Sequence, residues 1–98
     1  MKVKFKEWDC IAKFGKYPST NQNYIQLIDS EDGFPVATAS INMPGLDLLP
    51  NEVIIKDYSE NEGMFDTLVN AGIIKKTNKG AQLTYGIAPI AEIIKRSE

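Results

Sequence analysis

The chain has no histidine and only one cysteine in 98 residues. Without histidine there is no Ser-His-Asp triad and no Cys-His dyad. A single cysteine allows neither an internal disulfide nor a Cys/His zinc site. Long apolar runs are also missing, which excludes a membrane-spanning helix and the apolar segment of a signal peptide. No G-x-G-x-x-G or P-loop pattern occurs, so the usual phosphate-cradling loops are absent. A lone Cys10 fits a reducing compartment, and the expected location is the cytoplasm. No cofactor and no metal are expected.

What remains is ordinary in amount. Hydrophobic residues make up 43% and charged residues 24%, as in a globular domain. A chain of this length forms one domain, 1–98, burying roughly two-thirds of its unfolded surface. The charge is unevenly placed. Residues 1–16 carry +3, residues 17–74 carry −8 and residues 75–98 carry +3, for a net −2. Lys56 is the only base in the central block. Two readings follow. The basic ends can fold back beside the acidic middle and neutralise it. Alternatively, the acids form a face that attracts a basic partner. Direct nucleic-acid binding is disfavoured, since it needs a clustered basic face.

Periodicity supplies the elements. Val3 and Phe5 alternate with lysines, then Trp8, Cys10, Ala12 and Phe14 alternate with polar or outward positions. The apolar parity changes at Lys6-Glu7, which predicts a turn or a β-bulge there. Residues 2–16 are therefore a bent strand or a hairpin. A loop covers 15–23. Strands over 24–29 and 35–43 flank a turn at Ser30 to Phe34, where Asp32-Gly33 tolerates positive φ. Residues 44–51 form a loop whose Leu46, Leu48 and Leu49 tuck under the sheet. A strand covers 52–57. Ser59 and Glu62 have capping-box spacing and predict a helix over about 60–71, with Met64, Phe65, Leu68 and Val69 on one face. Gly72 stops that helix. A short strand from Ile73, a turn at Thr77 to Gly80 and one or two strands over 81–94 follow, with Pro89 at a bend or an edge. The expected fold class is α+β: an antiparallel sheet of about five to six strands with one helix packed on one face.

Chemistry is sparse. Asp57, Glu60 and Glu62 form the tightest acid cluster, and helix capping accounts for it. Asp29, Glu31 and Asp32 lack the twelve-residue pattern of a calcium loop and fit a hairpin turn. Cys10 has no histidine to activate it and reads as a small buried hydrophobe. The four tyrosines, Trp8 and four phenylalanines read mostly as core. Nothing here supports an enzyme.

The segments Ile55 to Gly63 (IKDYSENEG) and Phe5 to Tyr17 (FKEWDCIAKFGKY) resemble a family of small proteins encoded by phages, plasmids and conjugative elements, known only as a domain of unknown function. The resemblance spans most of the chain and is most specific from Glu52 to Ile73. It implies a mobile-element origin in a bacterial host cell and brings no catalytic residues. With that origin, the acidic block suggests a non-enzymatic interaction protein. Its expected role is an acidic inhibitor of a host defence nuclease, of anti-CRISPR or anti-restriction type. Its expected partner is a host protein with a basic surface, met by Asp57, Glu60, Glu62 and Asp66. Two alternatives stay open: a small-ligand module taking a nucleotide signal between sheet and helix, and a self-associating accessory protein using a sheet edge.

Overall fold

The computed structural model describes residues 1–96. The change of parity at Lys6-Glu7 resolves as a hairpin. Strand β1 (Lys2–Phe5) turns through Lys6, whose φ is +56°, into β2 (Trp8–Lys16). Val3 lies opposite Cys10 and Phe5 opposite Trp8. Odd positions before the turn therefore share a face with even positions after it. β3 (Asn23–Asp29) and β4 (Pro35–Thr38) complete a four-stranded antiparallel sheet of order β1-β2-β3-β4.

The strand expected over 35–43 does not stay in one sheet. It breaks at Ala39, and β5 (Ser40–Ile41) joins a second sheet of order β5-β6-β8-β7. The single sheet of five to six strands is thus corrected to two antiparallel sheets of four. Ala39 is the seam. Its N–H donates to Ile25 in the first sheet, and its C=O accepts from Lys56 just past β6 (Glu52–Ile55), both at 2.8 Å. A small side chain suits this place, which is wholly buried.

The predicted turn at Thr77 to Gly80 is also corrected. β7 (Ile74–Leu83) runs through it, with a register shift between Lys76 and Lys79. The extra residues bulge out, which reproduces turn-like composition inside a strand. β8 (Gly86–Ile93) returns after Thr84-Tyr85. Pro89 sits one residue beyond the last pairing with β6, Ile54 opposite Ile90. Lacking an N–H, it cannot continue that ladder.

The helix is shorter than expected. Ser59–Asn61 form a 3-10 turn, and α1 covers only Met64–Asn70. Met64 and Leu68 are fully buried, whereas Val69 is exposed. Gly72, at φ +77°, ends the helix as predicted, with Ile73 N–H returning to Leu68 C=O.

The two sheets and the helix enclose one main core. Val3, Phe5, Cys10, Ala12, Ile25 and Leu27 from the first sheet meet Val53, Ile55, Ala91 and Ile93 from the second, with Met64 and Leu68. A smaller cluster on the far face of the second sheet joins Ile54, Ala81, Ala88 and Ile90 to Ile41, Met43, Leu46 and Leu48. Leu46 and Leu48 thus pack as expected, but Leu49 is exposed.

Buried polar side chains fasten the 44–51 loop. Gln22 donates to the C=O groups of Met43 and Leu46 and accepts from Met43 N–H. Asn23 donates to Pro50 and Glu52 C=O and accepts from Arg96. The Glu52 carboxylate accepts from Leu49 N–H and from Lys79 Nζ at 2.7 Å. Those bonds, Lys79's foremost, hold its carboxyl below the usual carboxylate range although burial opposes the shift. A folded value below the unfolded one stabilises above the unfolded pKa of about 4.3, and the gain is lost as pH falls through the folded value. Glu52→Gln is therefore expected to be less stable than the parent at pH 7, with a smaller gap at pH 3. Urea midpoints at the two pH values measure this, and a constant gap would refute it.

Candidate interaction site

The segment from Lys56 to Asp66 holds the four acids expected to bind a partner, and the fold treats them differently. Asp57 is consumed locally. Its Oδ1 accepts Phe65 N–H at 2.8 Å, so Asp57 caps α1. The Ser59-Glu62 capping box does not form: Ser59 lies in the 3-10 turn at φ +55°, and Gly63 at φ +94° occupies the N-cap. A glycine there offers no side-chain oxygen, which leaves the task to a carboxylate six residues upstream. Glu60 is also engaged. It pairs with Lys56 four residues back, and its C=O accepts from Lys6 Nζ at 2.7 Å. The Lys56 ammonium holds the Glu60 carboxyl below its ordinary range, and Glu60 pushes Lys56 up. Glu62 and Asp66 are exposed and carry no ion pair among the described residues. The four acids therefore do not act as one uncompensated face.

Next to this segment lies an aromatic cleft of about 540 Å³, lined by Tyr58, Ser59, Leu83, Tyr85 and Ile87 among others. It lies at the tip of the β7–β8 hairpin, beyond the last β6–β8 pair, Ile54 opposite Ile90. Tyr85 at that tip is 99% exposed. The space between helix and sheets, by contrast, is filled by Met64 and Leu68.

A second acidic place lies where the β3–β4 turn meets the start of β2. Asp29 Oδ1 accepts Glu31 N–H at 2.8 Å and Asp32 N–H at 3.4 Å, and Asp32 Oδ1 accepts Phe34 N–H at 3.0 Å. This is the hairpin chemistry expected of these residues. The turn also joins β2, since Ser30 N–H donates to Asp9 C=O. Asp29 lies opposite Cys10 in the ladder. Burial pushes the Cys10 thiol up, and the charges of Asp29 and Asp9 push it further. The thiol is almost fully buried, in surroundings that disfavour thiolate.

Trp8 and Phe34 are what the sequence reading missed here. Trp8 has core parity and pairs with buried Phe5, yet it is 48% exposed; Phe34 is 70% exposed. Trp8 is the first residue of β2, where the inner face runs past the end of the core. Its position at the parity break was the available signal. Both rings line a cleft of about 310 Å³ with Asp29, Asp32, Pro35 and Val36. Among the described residues, no group of three or more Cys, Asp or Glu side chains is arranged to hold a metal ion, and no helix is long and apolar enough to cross a membrane.

Compared with known proteins, the chain matches no family model, no curated protein and no solved structure.

Proposed function

We propose that this chain is a non-enzymatic interaction protein that binds a partner with a basic surface. The observation that carries this reading is the fate of the central acids. Of the nine in residues 17–74, Glu52 and Glu60 alone form ion pairs among the described residues. The basic ends do reach into the middle, through Lys79 to Glu52 and Lys6 to the Glu60 backbone, but among the described residues Asp29, Glu31, Asp32, Asp47, Asp57, Glu62 and Asp66 have no ion-pair partner. Unpaired carboxylates beside exposed aromatic rings suit recognition of a cationic protein surface, with steering by the net field and anchoring by the rings. In the mobile-element setting that the resemblance implies, such a partner is a nucleic-acid-binding defence nuclease of the host.

The test is affinity capture of the tagged protein from bacterial lysate across a salt series, with the retained proteins identified. A partner with a basic face is expected, and its retention should fall steeply as salt rises. Reversing Asp29, Glu31 and Asp32 to lysine should reduce capture more than reversing Glu62 and Asp66. A partner held equally at high salt and by the reversed variants would overturn the acidic-face reading.

A further inference from the structure

The cleft between Trp8 and Phe34 carries a more specific inference, which rests on the basic-partner reading. We propose that it is a receptor for one arginine side chain presented by the partner. Exposed indole and phenyl rings beside carboxylates are poorly explained by stability alone. Large aromatics gain by burial, and here Trp8 is 48% and Phe34 70% exposed, lining one cleft with Asp29 and Asp32. A cation over an aromatic face is attracted by the ring quadrupole, most strongly over tryptophan. Each carboxylate spends Oδ1 on the turn's own N–H groups, which fixes its direction, while neither Oδ2 has a hydrogen-bond partner among the described residues. Preorganised acceptors lose little freedom when a cation arrives.

The chain's own cations do not fill the place. Lys6, nearest in sequence to Trp8, sits 5.2 Å from the Phe5 ring centroid and donates to Glu60 C=O. Lys4 lies opposite Asp9 on the outer face of the sheet, away from the side shared by Trp8 and Cys10. The choice of arginine over lysine follows from shape. A planar guanidinium stacks on an aromatic face and still directs N–H groups in its plane toward carboxylates. An ammonium must choose between a ring and its own hydration. Glu7 and Glu31, next in the chain to Trp8 and Asp32, add negative charge that favours either cation at long range but does not distinguish them.

Trp8 is the only tryptophan in the chain, so its fluorescence reports directly on the cleft. The experiment titrates the intact protein with the capped peptide Gly-Arg-Gly-Arg-Gly and with versions carrying lysine or citrulline at both arginines. A saturable change in Trp8 emission is expected with the arginine peptide. Affinity should be weaker by about tenfold with lysine, and binding should be absent with neutral citrulline. Asp29→Asn with Asp32→Asn keeps the Oδ1 turn bonds, removes the charge, and should weaken the arginine peptide about tenfold or more. Phe34→Ala, at an exposed position, should do the same without altering the circular dichroism. Equal binding of the citrulline peptide, stronger binding of lysine, or no saturable change at millimolar peptide would each overturn the assignment. Failure here is separable from failure of the basic-partner reading. Salt-sensitive capture of a partner that survives Phe34→Ala would reject the arginine cleft alone, whereas loss of salt sensitivity in the parent would reject the broader reading.

Discussion

Truncating Ile55 to alanine is expected to lower the free energy of unfolding by about 2–5 kcal/mol, and truncating Ile54 by a comparable amount. Neighbouring residues of a strand point to opposite faces, so in a half-buried sheet only one of the two should matter. Here both are wholly buried, Ile55 in the main core and Ile54 in the smaller cluster under the 44–51 loop. All four residues of β6 are buried. The whole protein should have only about 5–15 kcal/mol of stability, so either variant removes a large fraction. Urea unfolding of the two single variants and the double variant measures the effect. The two sites face different clusters, so their losses should nearly add. A small cost at Ile54 alone would mean that the loop over the second face is not packed as Leu46 and Leu48 indicate.

How much of this was legible in the sequence can be traced residue by residue. The Lys6-Glu7 parity break, the Asp32-Gly33 hairpin and the Gly72 stop were all readable, because each is a local signal with a local cause. The transfer of the chain between sheets at Ala39 was not. The run from Pro35 to Met43 is one β-rich segment by composition, and what splits it is a pair of long-range backbone bonds to Ile25 and Lys56. The capping box failed for a related reason. Its spacing was right, but Asn61 and Asp57 hold the turn before α1 in a geometry that places glycine, not serine, at the cap. The acids were visible as a block of composition. Which of them remained without a cation depended on Lys6, Lys56 and Lys79 finding partners, and two of those contacts join residues far apart in sequence. The exposed aromatic pair was hidden by the same logic, since strand parity tells which face a residue takes and not where the core beneath that face ends.

The interaction reading and the fold meet at Asn61. Its side chain is buried, and Nδ2 donates to Thr38 C=O at 2.7 Å and to Lys56 C=O at 3.2 Å. One amide thus ties the end of the first sheet to the exit of β6 and fixes the 3-10 turn that follows Tyr58 and carries Glu60. Asn61→Ala leaves two carbonyls to find other donors, at a cost of about 1–3 kcal/mol. Asn61→Asp should be worse at neutral pH, by about 3–5 kcal/mol, because it buries a charge facing two acceptors. That charge raises the folded-state pKa of the new carboxyl above its unfolded value of about 3.9. The penalty is then present above the folded value and shrinks as pH falls toward the unfolded one, where a neutral carboxyl can donate a single hydrogen bond. Asn61→Asp is therefore expected to gain stability relative to the parent between pH 7 and pH 4, while Asn61→Ala keeps a constant deficit. Thermal midpoints across that range separate the two, and parallel curves for both variants would show that Asn61 fills space without holding the two carbonyls.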